Sequence, residues 1–157
     1  MAKISLVPAF KDARGEITDL LENENINAIT RITFSKGAVR GNHYHKDTIQ
    51  WMYVLSGRLL VAAWREGNPI EEREVGVGEL VRHDAFEAHS VTAMEDSVFL
   101  VLTRGPRSGD DYESDTFRLE KPLQVSKPAP PPEHIPVNEP LIGPATKRYV
   151  DECISTG

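Results

Sequence analysis

The feature that most constrains this chain is its punctuation. Short apolar or alternating runs at residues 28–34, 49–55, 59–64, 71–75, 80–82, 89–94 and 97–103 are each closed by a polar turn. The turns carry Ser56-Gly57, Glu66-Gly67-Asn68-Pro69, Val77-Gly78-Glu79 and Glu95-Asp96. Runs of this length, spaced 8–12 residues apart, predict an all-β antiparallel sandwich or barrel. No amphipathic stretch of helical length stands out, so helix is expected to be minor.

Length and composition narrow this further. A chain of 157 residues, 39% hydrophobic and 27% charged, suits one soluble globular domain with a sizeable core. The boundary is expected near residue 121, with a β domain over 1–121. Eight of the eleven prolines fall between Pro122 and Pro144, so residues 122–157 read as a proline-rich C-terminal arm. No apolar run approaches the ~20 residues of a membrane span, and the first ten residues lack a signal-peptide pattern. The single cysteine, Cys153, excludes an intramolecular disulfide and fits a reducing, cytoplasmic setting. A net charge of −6 argues against non-specific nucleic-acid binding.

Chemistry concentrates between Gly37 and Gly57. His43 and His45 stand one residue apart in a strand-like segment, where side chains at i and i+2 share a face. Two imidazoles on one face can hold a divalent metal or pass a proton to and from a ligand. Trp51, Tyr53 and Trp64 are expected in the core or an interface. The apolar run 49–55 needs cover on both faces, which points to a homodimer.

The spacing Gly37-x5-His43-x-His45-x4-Gln50-x6-Gly57 resembles the first motif of the cupin superfamily, with Gln in place of the usual Glu. The second motif is looser. His89 stands at its histidine position, but Asp84 replaces the proline, Phe86 a glycine and Ala93 the final Asn. Within the superfamily, Asp12-Ala13-Arg14-Gly15, Arg40-Gly41-Asn42-His43-Tyr44-His45-Lys46 and Asp111-Tyr112-Glu113-Ser114-Asp115 resemble segments of RmlC-like dTDP-sugar 3,4-ketoisomerases. The histidine stretch is also similar to the cupin domain of capsule-sugar reductases.

The resemblance implies a single cupin (jelly-roll) barrel whose His-lined site isomerises or epimerises a keto-deoxysugar nucleotide by proton transfer. In that reading His43 and His45 are the base and acid, in either order. Gln50 or an arginine steadies the enolate oxygen, and Arg40 and Arg82 hold a diphosphate. It equally implies a metal set of His43, His45, Gln50 and His89 for Zn, Fe, Ni or Mn, with no organic cofactor. Alternatives are a metal-dependent oxygenase or lyase acting on another small molecule, and a non-catalytic ligand-binding barrel. A small-molecule substrate is expected, with no nucleic-acid or membrane partner. His83 and His134 lie off the motifs and are expected to be solvent-exposed.

Overall fold

The computed structural model describes residues 1–107 and 110–123. Almost all of the expected proline-rich arm, with His134 and Cys153, lies outside the described residues. In chain order the strands are β1 (Ala2–Ile4), β2 (Phe10–Asp12), β3 (Gly15–Ile17), β4 (Ala28–Phe34), β5 (Val39–Tyr44) and β6 (Ile49–Ser56). They continue with β7 (Arg58–Trp64), β8 (Glu71–Gly76), β9 (Leu80–His83), β10 (Ala88–Ala93) and β11 (Ser97–Arg104). A single short helix, α1 (Asp110–Ser114), and a two-residue strand, β12 (Phe117–Arg118), close the described chain. The expected dominance of β-structure holds.

Two five-stranded antiparallel sheets form the body, in the orders β1-β9-β6-β11-β4 and β12-β5-β10-β7-β8. The β2–β3 hairpin stands apart as a third, two-stranded unit. Side chains alternate across each strand, so one face of each sheet supplies the shared interior. Phe34, Met52, Val54, Leu59, Val61, Val75, Val81, Val91, Phe99 and Val101 fill it.

The apolar run of β6 is covered on both faces, as its composition requires. Met52 and Val54 face the main core, while Trp51 joins Leu80 and Leu102 on the opposite face. On that face the chain's own N-terminal segment packs against Trp51 through Ile4, Leu6, Leu21 and Ile26, while Leu55 at the end of the run stays exposed. Trp51 is a core residue, 1% exposed.

One glycine decides how closely the site strands approach. Gly41, at φ +91°, lets β5 run against β10 so tightly that a Cβ there would sit 2.6 Å from the His89 carbonyl oxygen. The register shifts between His89 and Ser90 at this point, and His43 lies opposite His89. Gly67 shares a positive φ of +82° but has nothing within 4 Å of its missing Cβ. Gly67→Ala should therefore lose only the left-handed backbone penalty, about 1–2 kcal/mol. Gly41→Ala should lose that and a steric contribution besides. Urea midpoints of the two variants test the claim, and equal losses would refute it.

Candidate functional site

The site is built where the ends of β5, β9 and β10 converge. His43 lies on β5, His45 just beyond its end, His83 at the end of β9 and His89 on β10. The His43 and His45 ring centroids are 4.9 Å apart, and His43 and His89 are also 4.9 Å apart. The ligand nitrogens of His43, His45 and His89 all lie within 4.8 Å of one another. The i, i+2 spacing thus puts two imidazoles together, and a strand distant in sequence brings the third.

The rings are fixed by what their other nitrogens touch. His45 Nδ1 donates to the Asp115 carbonyl at 2.8 Å, and His89 Nδ1 to the Glu87 carbonyl at 3.2 Å. A carbonyl only accepts, so both Nδ1 atoms carry the proton and each Nε2 keeps its lone pair. Backbone partners of this kind orient imidazoles for metal binding. Three neutral imidazoles, with Gln50 nearby on the cavity wall, fit a divalent ion of the Zn, Fe, Ni or Mn type.

Asp115 does more than offer its carbonyl. Its carboxylate, 4% exposed, accepts from the backbone N–H of Lys46 at 2.8 Å, Asp47 at 3.1 Å and Thr48 at 3.0 Å. The Thr48 hydroxyl adds a fourth bond at 2.6 Å. Phe117 stacks on Tyr44 with centroids 5.2 Å apart, and β12 pairs with β5 beside His43. The segment around Asp115 and Phe117 is thus a strap that ties the loop after His45 to the sheet.

Burial dominates the electrostatics. Loss of water, with neighbouring His45 and Arg118 adding to it, lowers His43 to about 4. Burial likewise lowers His45, and drives His89 well below the ordinary histidine value, with His83 and His43 contributing. Glu87 goes the other way from a lone buried carboxyl. Burial raises it, but hydrogen bonds from His83 and the Met1 amine outweigh that and bring it to about 2.

A cavity of about 470 Å³ opens beside these rings. His43, His83, His89 and Gln50 line it, together with Phe34, Phe99 and the arginines Arg31, Arg40 and Arg107. Arg40 lies with its guanidinium carbon 5.7 Å from the centre of the Phe34 ring. Arg82 is placed elsewhere: alternation along β9 turns it from the cavity, over Trp51 at 5.5 Å, with Nε on Asp84 at 2.7 Å. His45 sits in the imidazole cluster but is not among the residues lining the cavity.

His83 corrects the expectation of exposure. It is 4% exposed, pairs with the Gln50 position on β6 and stacks on His89 at 4.5 Å. Its position outside the cupin motifs hid it. The usable signal was strand alternation: His83 follows Arg82 on β9 and falls on the face that Val81 shares with the core. The Phe86 substitution is also explained. That position has φ +61°, which a glycine would meet freely, and the Phe ring is left exposed.

This is a cupin-type sandwich with a histidine-lined mouth. The sequence matches the family described as polysaccharide biosynthesis C-terminal domain over residues 10–117, more than half of the chain, and the chain belongs to that family. No curated protein sequence matches it. Among solved structures, dTDP-4-dehydrorhamnose 3,5-epimerase from Sulfolobus tokodaii superposes with a TM-score of 0.55 at 22% identity, covering 68% of this chain and 70% of that one. QdtA, a sugar 3,4-ketoisomerase from Thermoanaerobacterium thermosaccharolyticum in complex with TDP, gives 0.59 at 21% identity, covering 76% and 88%. The capsular polysaccharide assembling protein CapF from Staphylococcus aureus gives 0.55 at 21% identity; 75% of this chain covers only 33% of CapF. These similarities establish the RmlC-like cupin fold. No helix among the described residues is long and apolar enough to cross a membrane.

The depressed histidines carry a stability consequence. Unfolding returns His43 to its ordinary value near 6.5, so between that pH and about 4 the unfolded chain binds more protons than the folded one. Stability is fully present above about pH 6.5 and falls as pH drops through that window. Chelator-treated protein should lose on the order of 1–2 kcal/mol between pH 7 and pH 5 from His43, allowing for its partial exposure. Urea midpoints at the two pH values measure it, and His43→Asn should flatten the difference. A flat wild-type profile contradicts the assignment.

Proposed function

We propose that this chain is a sugar-nucleotide isomerase or epimerase that moves a proton beside a keto group. The observation that carries the reading is one cavity lined by imidazoles, His43 among them held neutral by burial, with an amide and three arginines. The arginines suit the oxygens of a diphosphate, which guanidinium groups match in paired hydrogen bonds. Arg40 lines the cavity and suits the expected role, and Arg31 and Arg107 line it where Arg82 does not. Similarity to structures described as a dTDP-sugar epimerase and a sugar 3,4-ketoisomerase supports the substrate class.

The chemistry needs no oxidant. A base takes the C–H proton beside the carbonyl, and the electron pair enters a carbon–carbon double bond as the carbonyl oxygen becomes an enediol oxygen. The neighbouring hydroxyl then gives up its proton to become the new carbonyl, and the former carbonyl carbon receives a proton. Returning the proton to the original carbon from the other face inverts that centre instead. His43 is neutral at physiological pH and lines the cavity, so its lone pair serves as base. His45 is its partner in the sequence-based assignment, and Gln50 steadies the enolate oxygen through its amide N–H.

Incubation with TDP-4-keto-6-deoxyglucose in D2O tests this proposal. Wild-type protein should place deuterium beside the carbonyl and release an isomer. His43→Asn should slow this by about 100-fold or more while the melting temperature holds. Undiminished exchange in that variant rejects the role.

The grouping of three ligand nitrogens within 4.8 Å supports a second reading, a metal-dependent cupin. His43, His45 and His89, with Gln50, would hold the ion, which when bound would polarise a carbonyl or enolate oxygen. Untagged protein should then carry about one Zn, Fe, Ni or Mn per chain, and His89→Ala should abolish it; elemental analysis decides. Exposed apolar side chains such as Ile29 and Val39 support the further proposal of a homodimer.

A further inference from the structure

The motifs assign proton transfer to neighbouring histidines on one strand. The structure holds a fourth imidazole that they do not mention, and it is better placed for that work than His45. We propose that His83, oriented by Glu87, is the second proton-carrying group of the site. The proposal rests on the isomerase or epimerase reading above.

Four observations carry it. First, His83 lines the cavity, whereas His45 does not. Second, its Nδ1 lies 2.9 Å from Glu87 Oε1 in a buried pair. A carboxylate only accepts, so Nδ1 holds a hydrogen and Nε2 is the nitrogen left for a ligand. Third, Nε2 is buried and has no hydrogen-bond partner among the described residues. A buried polar atom left this way is costly in a packed interior, and a ligand entering the cavity would satisfy it. Fourth, the two imidazoles approach the cavity from opposite sheets, His43 on β5 and His83 on β9. That arrangement suits a reaction in which one carbon loses a proton and the same or a neighbouring carbon gains one.

Glu87 is held in turn, which keeps the pair rigid. Its Oε2 accepts from Arg65 Nε at 3.3 Å and from the Met1 amine at 2.6 Å. Through these contacts Glu87 is a positioning residue, fixing the tautomer and direction of the ring without touching substrate. His45 is held differently, with its Nδ1 on Asp115 and its loop pinned by the same residue. It is built to stay still. The assignment also survives the metal reading. If His43, His45 and His89 commit their lone pairs to an ion, His83 is the cavity imidazole that retains one.

In the proton cycle, His43 takes the C–H proton while the electron pair enters the enediol double bond, and the His83 imidazolium, its Nδ1–H on Glu87, gives its Nε2 proton to carbon. In the reverse sense His83 Nε2 takes the proton and His43 returns it, and exchange with water resets both rings. Nothing is consumed.

The probe is TDP-4-keto-6-deoxyglucose in D2O, followed by deuterium incorporation. His83→Ala should lose exchange by about 100-fold or more, and added imidazole should restore a measurable part of it. His83→Gln should lose exchange with KM within about threefold, as expected when a transition-state interaction is removed. Glu87→Gln should lower kcat more than it raises KM, reflecting a misdirected ring. Circular dichroism confirms that each variant is folded, and His83→Gln is the deciding variant if His83→Ala is not. Wild-type exchange in folded His83→Gln overturns the assignment. So does a loss in folded His83→Ala that imidazole cannot restore, since the ring would then act only in packing. If wild-type protein itself gives no exchange, the function proposed above fails first, and this assignment falls with it.

Discussion

The pairing of β5 with β10 is the constraint on which the site depends. Gly41 lets the two backbones close to a distance that excludes any side chain, and the register shift at His89 follows from the same contact. That shift sets His89 opposite His43 instead of letting the ladder run on regularly. The site is therefore a product of backbone geometry first and of histidine chemistry second. A chain with the same four histidines and a bulky residue at 41 would present them to different neighbours.

The second organising principle is where the carboxylates sit. In the motif that this stretch resembles, a glutamate stands where Gln50 stands here. This chain keeps acids out of the first contact with the imidazoles' lone pairs and moves them one step back. Glu87 holds His83 through its side chain and His89 through its carbonyl. Asp115 holds His45 through its carbonyl and the following loop through its side chain. Each acid is satisfied by several donors, and that offsets the cost of burying it.

Much of this was legible in sequence. The turn punctuation gave the strand succession, and the spacing of His43, His45 and Gln50 located the cavity, because both depend on local periodicity. Three things were not legible, each for a physical reason. Arg82 and His83 are adjacent, and alternation puts His83 on the face of Val81. Both neighbours, Leu80 and Val81, are apolar, so only the pairing of β9 with β6 decides which face meets the cavity. Asp115 is distant from His45 in sequence, and its part arises only when β12 adds to β5. The cover for Trp51 depends on where the N-terminal segment folds, which strand periodicity does not encode.

The charge balance of the finished cavity argues for what it accepts. Burial holds His43 and His89 neutral, Gln50 is neutral, and the nearby acids are already engaged by donors. The charged residues that line the space, histidines aside, are all cationic: Arg31, Arg40 and Arg107. A protein whose net charge is −6 thus maintains a local positive field in its one His-lined hollow among the described residues. Such a field draws an anion and disfavours a cation. The aromatic wall of Phe34 and Phe99 stands beside these arginines, so the hollow joins an apolar face to a cationic one. The neutral Gln50 belongs with that arrangement: a glutamate in its place would cancel part of the arginines' charge.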